Sequence, residues 1–138
     1  MAQVTLKGTP IHTVGDLPGK GAQAPDFSLT TQDLQDQKLQ NYAGKKKILN
    51  IVPSLDTGVC AASAKTFEGR ADSLKNTVVI TVSMDLPFAQ QRFCSAEGID
   101  NVVTLSAFRS PEFGKNYGVE LVDGPMRGLL ARAVVVLD

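Results

Sequence analysis

Apolar residues fall into short runs bounded by turn formers, and stretches of helical spacing separate those runs. Ile48 to Val52, Val78 to Val82, Val102 to Leu105 and Ala133 to Leu137 read as strands rich in β-branched residues. None of them alternates cleanly with polar residues, which is the pattern of a sheet covered on both faces. Cys60 to about Lys75 suits a helix, with Val59, Ser63, Phe67 and Leu74 at loosely helical spacing. Pro87 to Glu97 is a second helix, with proline in its first turn and Gly98 as its stop. Pro111 to Tyr117 is a third, short one. Nearer the N-terminus, Val4-Thr5-Leu6 and Ile11-His12-Thr13-Val14 alternate on either side of Gly8-Thr9-Pro10 and predict a hairpin. Residues 15–25 hold Gly15, Pro18, Gly19, Gly21 and Pro25 among polar neighbours and read as loop. Phe27-Ser28-Leu29 then alternates like a short strand. Strands interleaved with helices predict an α/β fold whose chemistry sits at the strand–helix junctions.

Composition changes this picture little. The chain has 138 residues, 43% hydrophobic and 20% charged, which suits one globular domain spanning 1–138. Fourteen basic residues balance fourteen acidic ones, so no net field points to nucleic acid or an anionic membrane surface. The basic run Lys45-Lys46-Lys47 reads as a solvated strand entrance. MAQVTLKGTP lacks the apolar core of a signal peptide and no apolar run is long enough to span a bilayer, so a cytoplasmic location is expected. The two cysteines, Cys60 and Cys94, are too few for a disulfide scaffold and do not form a C-x-x-C pair. Together with His12 they lack the paired spacing of a closed metal site. His12 reads as a strand residue, and the phenylalanines at 27, 67, 88, 93, 108 and 113 read as core.

The stretch PSLDTGVC, residues 53–60, is where chemistry enters. Proline at 53 ends strand hydrogen bonding and stiffens the turn. With Thr57 as N-cap, Cys60 falls in the first helical turn, where backbone N–H groups lack intrahelical partners and the helix dipole favours a thiolate. A thiolate is the reactive form of cysteine. Asp56 opposes this, because a neighbouring carboxylate disfavours the anion, so a cation is required from elsewhere. Arg132, immediately before five apolar residues, is the candidate; it is either that cation or a strand-edge charge. Arg70, Arg92, Arg109 and Arg127 read as solvated charges. Cys94, beside Phe93, reads either as a small core residue or as a second working thiol.

Pro53-x-x-x-Thr57-x-x-Cys60 resembles the active-site motif of the peroxiredoxins. Ala24 to Leu29 and Gly44 to Ile51 match that family's run into the motif. DLPFAQQRFCSAEGI (85–99) and GLLARAVVVLD (128–138) are similar to its thiol peroxidase subfamily. The resemblance covers nearly the whole chain. It implies a thioredoxin-like fold, with a central mixed sheet, helices on both faces and the N-terminal β-hairpin. It implies that Cys60 is the peroxidatic cysteine, Cys94 the resolving one and Arg132 the active-site arginine, with Thr57 and Pro53 completing the pocket. Cys60 would attack hydrogen peroxide or an alkyl hydroperoxide and become a sulfenic acid. A Cys60–Cys94 intrachain disulfide would follow, recycled by thioredoxin, with no metal, haem or flavin. Because the two thiols start on different helices, first turns must unravel for that bond to form, with Gly58, Gly69 and Gly98 as candidate yielding points. The resemblance also implies a homodimer.

The chain departs from the family pattern in one respect. It stops at Asp138, where the family continues into a further strand and a long helix, so uncovered sheet surface is expected there. Two rival readings are a thioredoxin-like disulfide oxidoreductase, which the lack of C-x-x-C disfavours, and a redox-sensing module in which Cys60 oxidises without turnover.

Overall fold

A computed structural model describes residues 2–6, 8–56, 65–66, 76–99 and 102–137. Strands β1 (Gln3–Leu6) and β2 (Thr9–His12) form a separate antiparallel ribbon, the predicted hairpin. Its turn falls at Gly8, φ 83°, rather than at Gly8-Thr9-Pro10, because Leu6 pairs with Thr9. Ile11 packs from this ribbon against Leu121 and Ala131. His12 is held to Asp123 through both its backbone N–H and its ring Nδ1, each at 2.7 Å.

The remaining strands build one mixed sheet in the order β4-β3-β7-β6-β5-β8. Its centre is parallel: β5 (Lys46–Ile51), β6 (Thr77–Ser83) and β7 (Val103–Ser106). Around it, β8 (Ala133–Leu137) and β3 (Ser28–Thr30) run antiparallel, and β4 (Asp36–Lys38) pairs on β3 at the edge. A 3-10 helix at Leu39–Tyr42 follows β4. Neither β4 nor that turn of helix is visible in the apolar pattern, since DQK at a sheet edge has no face to bury. β3 begins one residue later than expected and β7 likewise. The sequence reading of Lys45-Lys46-Lys47 needs correcting at its last member. Lys47 is buried, its stem lying in the sheet and its Nζ reaching Tyr42 O at 3.5 Å.

Side-chain alternation sends residues of these strands to two faces, and each carries a helix. On one face Leu49, Ile51, Ile80, Val82 and Leu105 meet Phe113 of helix α2 (Glu112–Asn116) and Tyr117, the residue that caps its C-terminus; the two rings stack at 4.7 Å. Phe27 meets Phe113 edge-on at 6.1 Å. On the other, Ile48, Val52 and Val79 meet Phe93 and Cys94 of helix α1 (Pro87–Glu97). The expected thioredoxin-like arrangement is present. α1 has the predicted bounds because Pro87 pre-sets its first turn and Gly98, at φ 67°, closes it with its N–H on Cys94 O.

Phe27 and Phe113 are core as expected, but Phe88 is 62% exposed and Phe108 lies at the surface beneath the Arg109 guanidinium. Arg109 also pairs with Asp36 at 2.8 Å, an exposed contact in keeping with a solvated charge. Phe67 lies outside the described residues, as does most of the helix expected from Cys60 to Lys75; Lys65 and Thr66 within it are helical. On β8, Val134 and Val136 are more than half exposed. Among the described residues no helix is long and apolar enough to cross a membrane.

Candidate active site

Three of the five expected site residues can be located: Pro53, Cys94 and Arg132. Thr57 and Cys60 lie outside the described residues. β5 runs out at Ile51, Val52 N–H makes one further bond to Val82 O at 3.0 Å, and Pro53 then ends the ladder while itself buried. β8 approaches the same point from the other side. Ala133 lies opposite Ile51, so the register continued by one residue brings Arg132 level with Val52, next to Pro53. The first residue before an apolar strand is thereby delivered to the end of β5, beside Pro53, with its side chain exposed.

Cys94 sits on the third turn of α1, 7% exposed, in the same buried cluster as Val52 and Leu55, the residues that bracket Pro53 and Ser54. The sheet face beneath α1 is unexpectedly polar toward the strand ends. Asn50, Thr81 and Thr104 lie side by side across β5, β6 and β7, and all are buried. Gln32 continues the row: its Nε2 donates to Thr104 Oγ1 at 2.6 Å and to Cys94 Sγ at 3.6 Å. Both amide hydrogens are thus used, one on the hydroxyl and one on the sulfur. The buried sulfur therefore has a polar partner on the neighbouring segment. A cleft of about 400 Å³ runs along this side, lined by Gln32, Gln91, Cys94, Ser95 and Thr104 among others.

A second polar set holds the loop after Pro53. Asp85 accepts hydrogen bonds from Ser54 Oγ, Leu55 N–H and Ser83 Oγ, at 2.7, 2.8 and 2.8 Å. Neither this set nor Gln32 and Thr104 stood out in the sequence. Their one signal was polar residues, Thr81, Ser83 and Asp85, interrupting an otherwise apolar strand exit. Among the described residues no group of three His, Cys, Asp or Glu side chains could hold a metal ion.

Comparison with known proteins decides the family. The Redoxin family profile matches residues 19–138. A thiol peroxidase of Mycobacterium bovis is 55% identical over 137 residues, covering 99% of this chain and 82% of that protein. The chain belongs to the redoxin family, among the thiol peroxidase peroxiredoxins. Its peroxiredoxin fold matches a peroxiredoxin-like protein from Aquifex aeolicus with a TM-score of 0.92 at 40% identity, over 99% of this chain and 79% of that one. It matches a thiol peroxidase from Chromobacterium violaceum with a TM-score of 0.90 at 25% identity and the same coverage. The protein is therefore a thiol-dependent peroxidase, an oxidoreductase that takes a hydroperoxide and needs a reductant. Of the three readings drawn from the sequence, the peroxidase is the one these relatives support.

Proposed function

We propose that the protein reduces hydrogen peroxide and alkyl hydroperoxides with Cys60 as peroxidatic cysteine and Cys94 as resolving cysteine, and that thioredoxin restores the thiols. The Cys60 thiolate attacks the distal peroxide oxygen. The S–O bond forms, the O–O bond breaks, and the leaving oxygen takes a proton to depart as water or alcohol. Thr57 Oγ and helix N-terminal amides hydrogen-bond the peroxide, Pro53 shields the pocket, and Arg132 stabilises the thiolate and the charge developing on the leaving oxygen. Cys94 sulfur then displaces water from the Cys60 sulfenic acid, giving an intrachain disulfide. Two electrons and two protons from a dithiol reductant complete the cycle, so no metal, haem or flavin takes part. Each chain is a single domain, and the working form is a cytoplasmic homodimer.

The observation that carries this reading is the setting of Cys94. A thiol packed as mere core filler has no use for an amide donor and a cleft. Cys94 has both, and it shares a cluster with the residues bracketing Pro53. Turnover of hydrogen peroxide and of an alkyl hydroperoxide, coupled to thioredoxin and its reductase, is the test. Sustained turnover that stops in Cys60→Ser and in Cys94→Ser is expected. Undiminished thioredoxin-dependent turnover in Cys94→Ser would remove Cys94 from the cycle.

A further inference from the structure

Asp85 stands at the exit of β6, two residues before α1 begins, and its carboxylate gathers donors from two directions. Oδ1 accepts from Ser54 Oγ at 2.7 Å; Oδ2 accepts from Leu55 N–H at 2.8 Å and from Ser83 Oγ at 2.8 Å. Ser83 Oγ in turn accepts from Nε2 of Gln90, a fully buried residue of α1, at 3.1 Å, and the same Nε2 reaches Leu105 O at 3.0 Å. Ser106 Oγ donates to the Asp85 carbonyl at 2.5 Å. Ser54 Oγ also takes Asp56 N–H at 3.1 Å, which carries the tie one residue further along the loop.

This network does what the sheet cannot. Pro53 ends the backbone ladder, so residues 54–56 must be held by side chains. One carboxylate with several acceptor sites fixes the loop, and through Ser83 it shares its anchor with the helix that bears Cys94. We infer that Asp85 is a positioning residue for the reaction, holding the loop that leads to Cys60 in attacking geometry against the helix of Cys94. This inference rests on the roles proposed above for the two cysteines. It also implies a trade-off: the clamp that pre-organises peroxide attack resists the movement that brings the two sulfurs together.

The two steps can be timed separately by rapid quench and mass spectrometry. Sulfenic acid formation is read in a Cys94→Ser background, and disulfide closure is read in the two-cysteine chain at saturating peroxide. Asp85→Asn keeps the size but presents an NH₂ group where donors now point. It should slow sulfenic acid formation about tenfold, the scale of a modest loss of pre-organisation. Disulfide closure should be as fast as in the wild type or faster. An unchanged first step would overturn the inference, and so would equal slowing of both steps, which general loosening produces. Should Asp85→Asn not fold, Ser54→Ala removes one of the three bonds and should slow the first step alone, by about threefold. Failure of the disulfide to form in the wild type would sink the role of Cys94 but leave the effect of Asp85 on Cys60 oxidation readable.

Discussion

Ala133 lies directly opposite Ile51 in the antiparallel pairing of β8 with β5. Strand register is an all-or-nothing property here, because a slip of one residue would turn Val135 from the core face to the exposed one. The pairing therefore fixes Arg132 level with Val52 and beside the buried Pro53, although the two segments are far apart in sequence.

Arg132→Met tests whether that placement serves catalysis. Methionine keeps much of the aliphatic stem and loses the cation. The second-order rate of Cys60 oxidation by hydrogen peroxide should fall about a hundredfold, the usual loss for one charge-stabilising donor. Alkylation of Cys60 at neutral pH should also slow. Unchanged values for both would make Arg132 a strand-edge charge.

Gln32 is expected to act on the other thiol. Replacing it with leucine removes the donors to Thr104 Oγ1 and Cys94 Sγ. In a Cys60→Ser background, Cys94 should react with iodoacetamide several-fold more slowly, about the effect of one lost hydrogen bond to an anion. Closure of the disulfide should slow in the two-cysteine chain, with sulfenic acid formation unaffected. Slowing of the first step instead would place Gln32 in the wrong half of the cycle.

Tyr117 gives the fold an alkaline limit. Burial, with the Asp26 carboxylate adding to it, pushes its phenol up from about 10 to about 12. Its hydroxyl donates to Pro25 O at 2.7 Å. The folded chain thus holds this proton more tightly than the unfolded one. Its contribution is complete below pH 10 and is lost as pH rises through about 12. Urea unfolding from pH 9 to 12 should show stability falling over that window, with a shallower fall in Tyr117→Phe. Identical slopes would mean the phenol titrates alike in both states.

Gly118 follows α2 at φ 69°, and a Cβ there would stand 2.1 Å from the Asp16 carbonyl oxygen. Both the dihedral and the clash act against any side chain. Gly118→Ala should cost about 2 kcal/mol or more in urea unfolding. A loss below that would mean the 15–19 segment shifts aside without strain.

The elements that could be read from the sequence are those whose cause is local. Pro87 and Gly98 delimit α1 by their own dihedrals, and Ala133 to Leu137 is apolar throughout, so both appear with the bounds expected. Pro53, Thr57 and Cys60 stand out as candidates because they fall within eight residues of sequence. β4 escaped because an edge strand is defined by its pairing with β3, not by burial. Lys47 escaped because a long amphipathic stem can be buried while its head reaches a carbonyl. Asp85, Gln90 and Gln32 escaped for a related reason: each finds its partner in a distant segment, and an acid or amide next to a helix reads as surface until the sheet is assembled. Arg132 lies between these cases, suspicious by position but given a place only by the β5–β8 register.

The account turns on a bond between Cys60 and Cys94. Reduced protein treated with one equivalent of hydrogen peroxide and analysed by intact mass and peptide mapping tests it most directly. The expected product is a monomer lighter by two hydrogens, whose map contains a single peptide pair joined through Cys60 and Cys94. A monomer heavier by one oxygen with Cys94 still alkylatable, or a covalent dimer linked through either cysteine, would contradict it.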